Sequence, residues 1–88
     1  MKIAFIGGGV MGEAMLSAIL SRKLAAPEAI YISDIKEPRR QYLEHTYGVF
    51  VTDSNKMAAG KGDIVVLAVK PQDLSGVMAE LNGWLQPS

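Results

Sequence analysis

The sequence predicts an α/β fold in which four parallel strands alternate with helices. Apolar runs of strand length recur at residues 2–6, 29–33, 49–51 and 63–69, and segments of helical character lie between them. A glycine-rich turn separates the first strand from the first helix. Because strands joined through a helix lie parallel with right-handed crossovers, we expect the strand order 3-2-1-4.

The glycine-rich turn is the first candidate binding site. It has the spacing G-x-G-x-x-G and consists of Gly7, Gly8, Gly9, Val10, Met11 and Gly12. A helix that begins at such a turn presents unpaired N–H groups and the positive end of its dipole to an anion. With a strand before it and a helix after it, the pattern is typical of a Rossmann-type turn that binds the pyrophosphate of a dinucleotide. The alternative is a strand-to-helix turn without a ligand.

The first helix is predicted over residues 10–23, with Met15 and Ile19 packed on the sheet. Glu13 falls in its first turn, where a carboxylate complements the helix dipole but would repel a bound phosphate. We therefore expect Glu13 to point outward.

The second strand leads to Asp34, which lies 22 residues beyond the last glycine of the motif. An acidic residue near this spacing hydrogen-bonds the adenosine ribose in dinucleotide-binding proteins. The cations Lys36, Arg39 and Arg40 follow, and they could instead hold a 2′-phosphate. Ser33 would then supply a hydroxyl. The carboxylate favours NAD and the cations favour NADP. Without a ligand, Asp34 would be an ordinary turn residue and the arginines would belong to a solvated helix face.

Proline and polar residues mark the elements of the second half. Pro38 begins a second helix, and a short helix follows from Asn55, for which helix capping is the alternative to ligand contact. The run at residues 63–69 is rich in β-branched residues and suits a central strand covered on both faces. It leads to Lys70 and Pro71, where the last helix starts. In the predicted order the ends of strands one and four flank one crevice, so Lys70 either reaches a cofactor there or only solvates the loop.

Composition excludes several classes of function. The chain has 88 residues, enough for one small domain, and its nine basic residues balance nine acidic ones, so no nucleic-acid surface is indicated. With no cysteine and a single histidine, neither thiol chemistry nor a metal site is expected. Since neither an apolar stretch of membrane-spanning length nor a signal-peptide pattern occurs, we expect no membrane partner and a cytoplasmic location.

Three stretches together resemble one known family. They are residues 5–14 (F-I-G-G-G-V-M-G-E-A), the pair Asn55-Lys56, and residues 67–72 (L-A-V-K-P-Q). Over essentially its whole length the chain resembles the amino-terminal domain of pyrroline-5-carboxylate reductase. The A-V-K-P ending of strand four, with the upstream Asn55, is more specific than the glycine-rich turn.

The resemblance implies an enzyme that transfers hydride from NADPH or NADH to the C=N bond of 1-pyrroline-5-carboxylate and forms L-proline, the last step of proline biosynthesis. It implies that residues 7–12 hold the pyrophosphate. Ser33 and Asp34 would lie beside the adenosine ribose, and Asn55 would lie on the adenosine side. The path towards the nicotinamide would be lined by Ala68, Val69, Lys70 and Pro71. No catalytic residue is assigned to this chain, and the predicted cofactor is NADP, with NAD as the alternative.

The chain departs from the family in two ways. Family members often carry a basic residue just after strand two, where this chain has Ile35, so coenzyme preference stays open. The family also continues with a fifth strand and a helical carboxyl-terminal domain that provides the substrate pocket and the oligomer interface. We therefore expect residues 1–88 to be the dinucleotide-binding domain of a homo-oligomeric enzyme, truncated before the fifth strand and inactive alone. The open sheet is expected to expose apolar residues, Trp84 and Leu85 among them, and to self-associate.

Two other functions fit the same motifs. One is another NAD(P)-dependent dehydrogenase with this first domain, of the 3-hydroxyacid or prephenate type. The other is a stand-alone module that senses a dinucleotide and signals to a partner. A fifth strand and a helical domain encoded after residue 88 would favour an enzyme over the sensor.

Overall fold

The computed structural model describes residues 1–82, in which four strands alternate with four α-helices. The strands are β1 (Ile3–Ile6), β2 (Ile30–Ser33), β3 (Phe50–Thr52) and β4 (Ile64–Leu67). The helices are α1 (Val10–Ser21), α2 (Glu37–Tyr47), α3 (Asn55–Lys61) and α4 (Pro71–Leu81), with a 3₁₀ turn at Pro27–Ala29. All strand pairs are parallel and the order is β3-β2-β1-β4, which confirms the predicted order 3-2-1-4. Trp84 and Leu85 lie outside the described residues.

Strand β1 runs through the centre of the core. Its four residues are buried, and their side chains alternate between the two faces of the sheet. On one face, Phe5 belongs to a buried cluster with Leu16 of α1 and Leu43 of α2. On the other face, Ile6 belongs to a second cluster, to which α3 and α4 contribute Ala58 and Leu81. Helices therefore cover β1 on both sides and fix its carboxyl end, where the glycine-rich turn begins.

Local signals place most element ends within one or two residues of their predicted positions. Pro38 and Pro71 lie in the first turns of α2 and α4, where a missing N–H leaves no helical bond unmade. Gly48 caps α2 with a left-handed φ of 72°. Helix α1 ends at Ser21, two residues before the predicted end, since Lys23 has a φ of 56° that no helix continues.

Two predictions about packing are wrong. Residues 63–69 are not covered as a central strand would be, because Ile64 is 44% exposed, and within the described residues β4 pairs only with β1, as the order 3-2-1-4 requires. A β-branched composition indicates that the faces of a strand can be buried, but it does not indicate whether both edges of the strand are paired with other strands. Met15 is exposed, because the buried line of α1 follows the i, i+4 pair Gly12 and Leu16. Ile19 does pack against the core, as predicted.

Candidate dinucleotide site

A groove of about 450 Å³ opens where β1, β2 and β4 end at the same edge of the sheet. The predicted site residues that line it are Gly7, Gly8, Gly9, Ser33, Asp34, Asn55, Ala68, Val69 and Lys70. The other four predicted site residues are absent from the lining and form the first turns of the adjoining helices, Val10, Met11 and Gly12 in α1 and Pro71 in α4. The strand order thus brings together Gly7 and Lys70, which are 63 residues apart in the chain.

Two glycines of the turn are required by close backbone approach. Gly7 has a φ of 100°, and a Cβ atom there would lie 2.6 Å from the carbonyl oxygen of Ala68. A Cβ atom on Gly12 would lie 2.7 Å from the carbonyl oxygen of Gly7. Both distances are below van der Waals contact. A side chain at Gly7 would push the turn away from the end of β4, and a side chain at Gly12 would push α1 away from the turn.

Gly9 differs, because a Cβ atom there would meet no protein atom within 4 Å. Its side chain would instead project into open space beside the groove. The first helical bond of α1 runs from the Glu13 N–H to the Gly9 carbonyl, and within residues 1–82 the four N–H groups at positions 9–12 have no acceptor. Open space, unpaired donors and a helix dipole are what a pyrophosphate requires, so the residues present fit a dinucleotide.

Hydrogen bonds hold the turn against β2 and α2. The Gly7 N–H donates to the Ser33 carbonyl (2.9 Å), and the Gly8 N–H donates to Asp34 Oδ2 (3.0 Å). The other carboxylate oxygen of Asp34 accepts the Lys36 N–H (2.8 Å). Each oxygen of Asp34 therefore accepts one bond from the protein and keeps a further lone pair, which a ribose hydroxyl could use.

Glu13 does not point outward, and that prediction is wrong. Its side chain is only 22% exposed and pairs with Arg39 of α2, with 2.6 Å between Oε1 and Nη2. The hydroxyls of Tyr42 and Tyr47 both donate to Oε2. The pKa of Glu13 is lowered by the hydrogen bond from Tyr47, then by the one from Tyr42 and by the Arg39 guanidinium. The pKa of Tyr47 is raised to about 12 by its hydrogen bond to the Glu13 carboxylate and by burial. All three partners lie at least 26 residues away along the chain, beyond the reach of helical periodicity.

Asn55 is not the cap of α3, because Ser54 accepts the Met57 N–H in that role. The Asn55 Oδ1 accepts the hydroxyl of Ser33 (2.6 Å), and its Nδ2 donates to Glu80 of α4 (3.0 Å). Ser33 is fully buried, so this bond satisfies a hydroxyl that has no access to water. The side chain of Asn55 thereby joins the end of β2 to two helices at the floor of the groove.

The three cations after β2 have different roles. Arg40 donates to the Asp34 carbonyl (2.9 Å), and Arg39 is bound to Gly8 and Glu13. The ammonium group of Lys36, which also lines the groove, has no partner within residues 1–82. The lining further includes Asp73 and Val77, which sequence reasoning missed because no local signal showed that α4 borders the groove.

Within residues 1–82 no group of three or more His, Cys, Asp or Glu side chains is placed to hold a metal ion. Among the same residues, no helix combines the length and the apolar character that a membrane span requires.

Comparison with known families agrees with this geometry. The family model described as "NADP oxidoreductase coenzyme F420-dependent" matches residues 2–87. The chain belongs to this family. The chain is also 44% identical over 82 residues to a pyrroline-5-carboxylate reductase of Synechocystis and 40% identical over 81 residues to one of Methanosarcina acetivorans. These matches cover 93% and 92% of this chain but only 31% and 30% of the two relatives.

A solved structure gives the same result in three dimensions. A pyrroline-5-carboxylate reductase from Coxiella burnetii superimposes with a TM-score of 0.91 at 30% sequence identity, over 99% of this chain and 32% of the other. These similarities confirm the resemblance that the glycine-rich turn, Asn55 and the A-V-K-P segment predict. They also confirm the Rossmann-type α/β fold class. The chain spans about a third of the length of the proteins it matches.

Proposed function

We propose that this chain is the dinucleotide-binding domain of an oxidoreductase that reduces 1-pyrroline-5-carboxylate to L-proline with NAD(P)H. The observation that carries the proposal is the set of unpaired N–H groups at the start of α1, beside a groove formed by the ends of β1, β2 and β4. The names of the relatives support the substrate. Because the chain spans about 30% of those relatives, the activity is proposed for the whole protein.

Each part of the groove has a proposed role. The N–H groups of residues 9–12 would bind the pyrophosphate, and Asp34 would accept the adenosine ribose hydroxyls. Ser33 and Asn55 would support the adenosine side. The side towards the nicotinamide would be formed by Ala68, Val69, Lys70 and Pro71. When bound, a reduced nicotinamide supplies the hydride, so the task of these residues is to bind and orient it.

The preference for NADP over NAD is assigned to Lys36. Arg39 and Arg40 are already bound to protein acceptors, and Ile35 brings no charge. Of the three cations that follow β2 directly, Lys36 is therefore the one whose charged group is available, within the described residues, for a 2′-phosphate. We expect Lys36→Gln to weaken NADPH binding about tenfold and to leave NADH binding unchanged, since a charge-assisted contact is lost only with the 2′-phosphate. Lys61→Gln, at the end of α3, is the matched control. Equal losses for both coenzymes would refute this role.

The binding site itself is tested at Gly9. Because a Cβ atom at Gly9 meets no protein atom, Gly9→Ala should leave the fold intact and obstruct only the ligand. We expect the affinity for both NADPH and NADH, measured by fluorescence titration, to fall at least about tenfold. Gly76→Ala in α4 is the control, since a Cβ atom there also meets nothing within 4 Å. If wild type and Gly9→Ala bind the coenzymes equally, the proposed site is wrong.

The reaction is tested on the whole protein. We expect oxidation of NADPH that depends on added 1-pyrroline-5-carboxylate, followed by nicotinamide absorbance with proline as the product. If the protein binds the coenzyme but 1-pyrroline-5-carboxylate does not stimulate NADPH oxidation, the protein catalyses a different NAD(P)-dependent reaction. The homo-oligomeric state, the cytoplasmic location and the lack of a nucleic-acid partner stay predictions.

A further inference from the structure

The orientation of one peptide group decides whether Gly9 presents its N–H to a ligand. The Gly8 carbonyl and the Gly9 N–H belong to the same planar trans peptide and point in opposite directions. The Gly8 carbonyl accepts a hydrogen bond from Arg39 Nε. This bond directs the Gly9 N–H away from Arg39, so a side chain of α2 sets the orientation of a proposed pyrophosphate donor.

Arg39 is itself held from two sides. Its Nη2 donates to Glu13 Oε1 (2.6 Å), and its guanidinium carbon lies 5.0 Å from the centre of the Tyr42 ring. The second carboxylate oxygen of Glu13 is bound by the hydroxyls of Tyr42 and Tyr47. The planar fork of the guanidinium therefore spans the turn, α1 and α2 at once, which a single ammonium group cannot do.

We propose that Arg39 is a positioning residue for dinucleotide binding, which fixes the Gly8–Gly9 peptide and is itself fixed by Glu13, Tyr42 and Tyr47. This inference rests on the proposed function, because the turn that Arg39 orients is the proposed pyrophosphate site. In this role Arg39 acts on the pyrophosphate through the backbone. A direct contact between Arg39 and a 2′-phosphate is the competing explanation.

The two roles differ in the ligands that they affect. Arg39→Lys keeps the charge but cannot bind Gly8 and Glu13 together. We expect its affinity for NADPH and for NADH to fall by the same factor, about tenfold, with the affinity for 2′-AMP unchanged, because 2′-AMP has no pyrophosphate. Glu13→Gln should give a smaller loss with the same NADPH-to-NADH ratio. Arg22→Gln and Glu44→Gln remove the same charges from exposed positions and should have no effect.

A second measurement needs no ligand. We expect the NMR order parameters of the Gly8 and Gly9 amides to fall in ligand-free Arg39→Lys and to stay at wild-type values in Arg22→Gln, with thermal melting to verify that both variants are folded. Unchanged order parameters would overturn the inference. So would a loss confined to NADPH and 2′-AMP, which would make Arg39 a direct phosphate ligand. If the wild type binds neither dinucleotide, the proposed function fails, and the order parameters still decide whether Arg39 holds the turn.

Discussion

The carboxylate of Glu13 accepts hydrogen bonds from Arg39, Tyr42 and Tyr47, and it links the two helices that cover one face of the sheet. These donors favour the charged form of Glu13, so its pKa in the folded chain lies below the ordinary value of 4.5. The same bond favours the protonated form of Tyr47, whose pKa rises from 10.0 to about 12. At the residue scale, one cluster is therefore sensitive to both acid and base.

The sign of each effect follows from linkage. The lowered pKa of Glu13 stabilises the fold above pH 4.5, and this stabilisation is lost as the pH falls through the folded pKa. The raised pKa of Tyr47 stabilises the fold below pH 10, and this stabilisation is lost as the pH rises towards 12. We expect Glu13→Gln to lower the free energy of unfolding most between these limits, measured by urea denaturation across pH. A difference from wild type that is independent of pH would contradict the assignment, and Glu44→Gln should give none.

Among the elements, the junction of β2, α3 and α4 depends on one amide. Asn55 satisfies the buried hydroxyl of Ser33 and reaches Glu80 on α4. Removing one partner of a buried pair leaves the other without a hydrogen bond, whereas removing both does not. The losses of stability caused by substituting Ser33 and Asn55 should therefore not be additive.

This reasoning predicts a specific result for a double-mutant cycle. We expect Asn55→Ala to lower the free energy of unfolding by about 1–3 kcal/mol, because the Ser33 hydroxyl stays buried without a partner. The double variant Ser33→Ala/Asn55→Ala should cost less than the sum of the single variants, as measured by urea denaturation. Additive losses would show that the two side chains do not depend on each other.

The elements also show how far the sequence predicts this molecule. Apolar runs, the glycine spacing and prolines at helix starts are local signals, and they predicted the strand order and the groove formed by Gly9, Asp34 and Lys70. The role of Glu13 was not predictable, because its three partners lie on a helix that only the folded sheet brings close. The hydrogen bonds of Asn55 were missed for the same reason, since composition alone indicated a cap.

For the whole molecule, the sheet ends at β3 on one side and at β4 on the other within the described residues, and the β4 edge bears on association. Within the described residues β4 has β1 on one side only, and Ile64 in β4 and Met78 in α4 are large apolar residues with substantial exposure. An unpaired strand edge offers N–H and C=O groups to another chain. The formal net charge of the 88 residues is +0 at pH 7, so charge repulsion does little to oppose association.

We therefore predict that the 88-residue chain self-associates through β4. Sedimentation velocity should show the average mass rising with protein concentration, and Ile64→Lys should shift the chain towards monomer, because a charged residue on an edge strand disfavours strand pairing. Leu24→Lys is the matched control, since Leu24 is exposed in the loop after α1, away from β4. A monomer at every concentration would refute the prediction. An equal effect of the two lysines would show that net charge, and not the β4 edge, controls association.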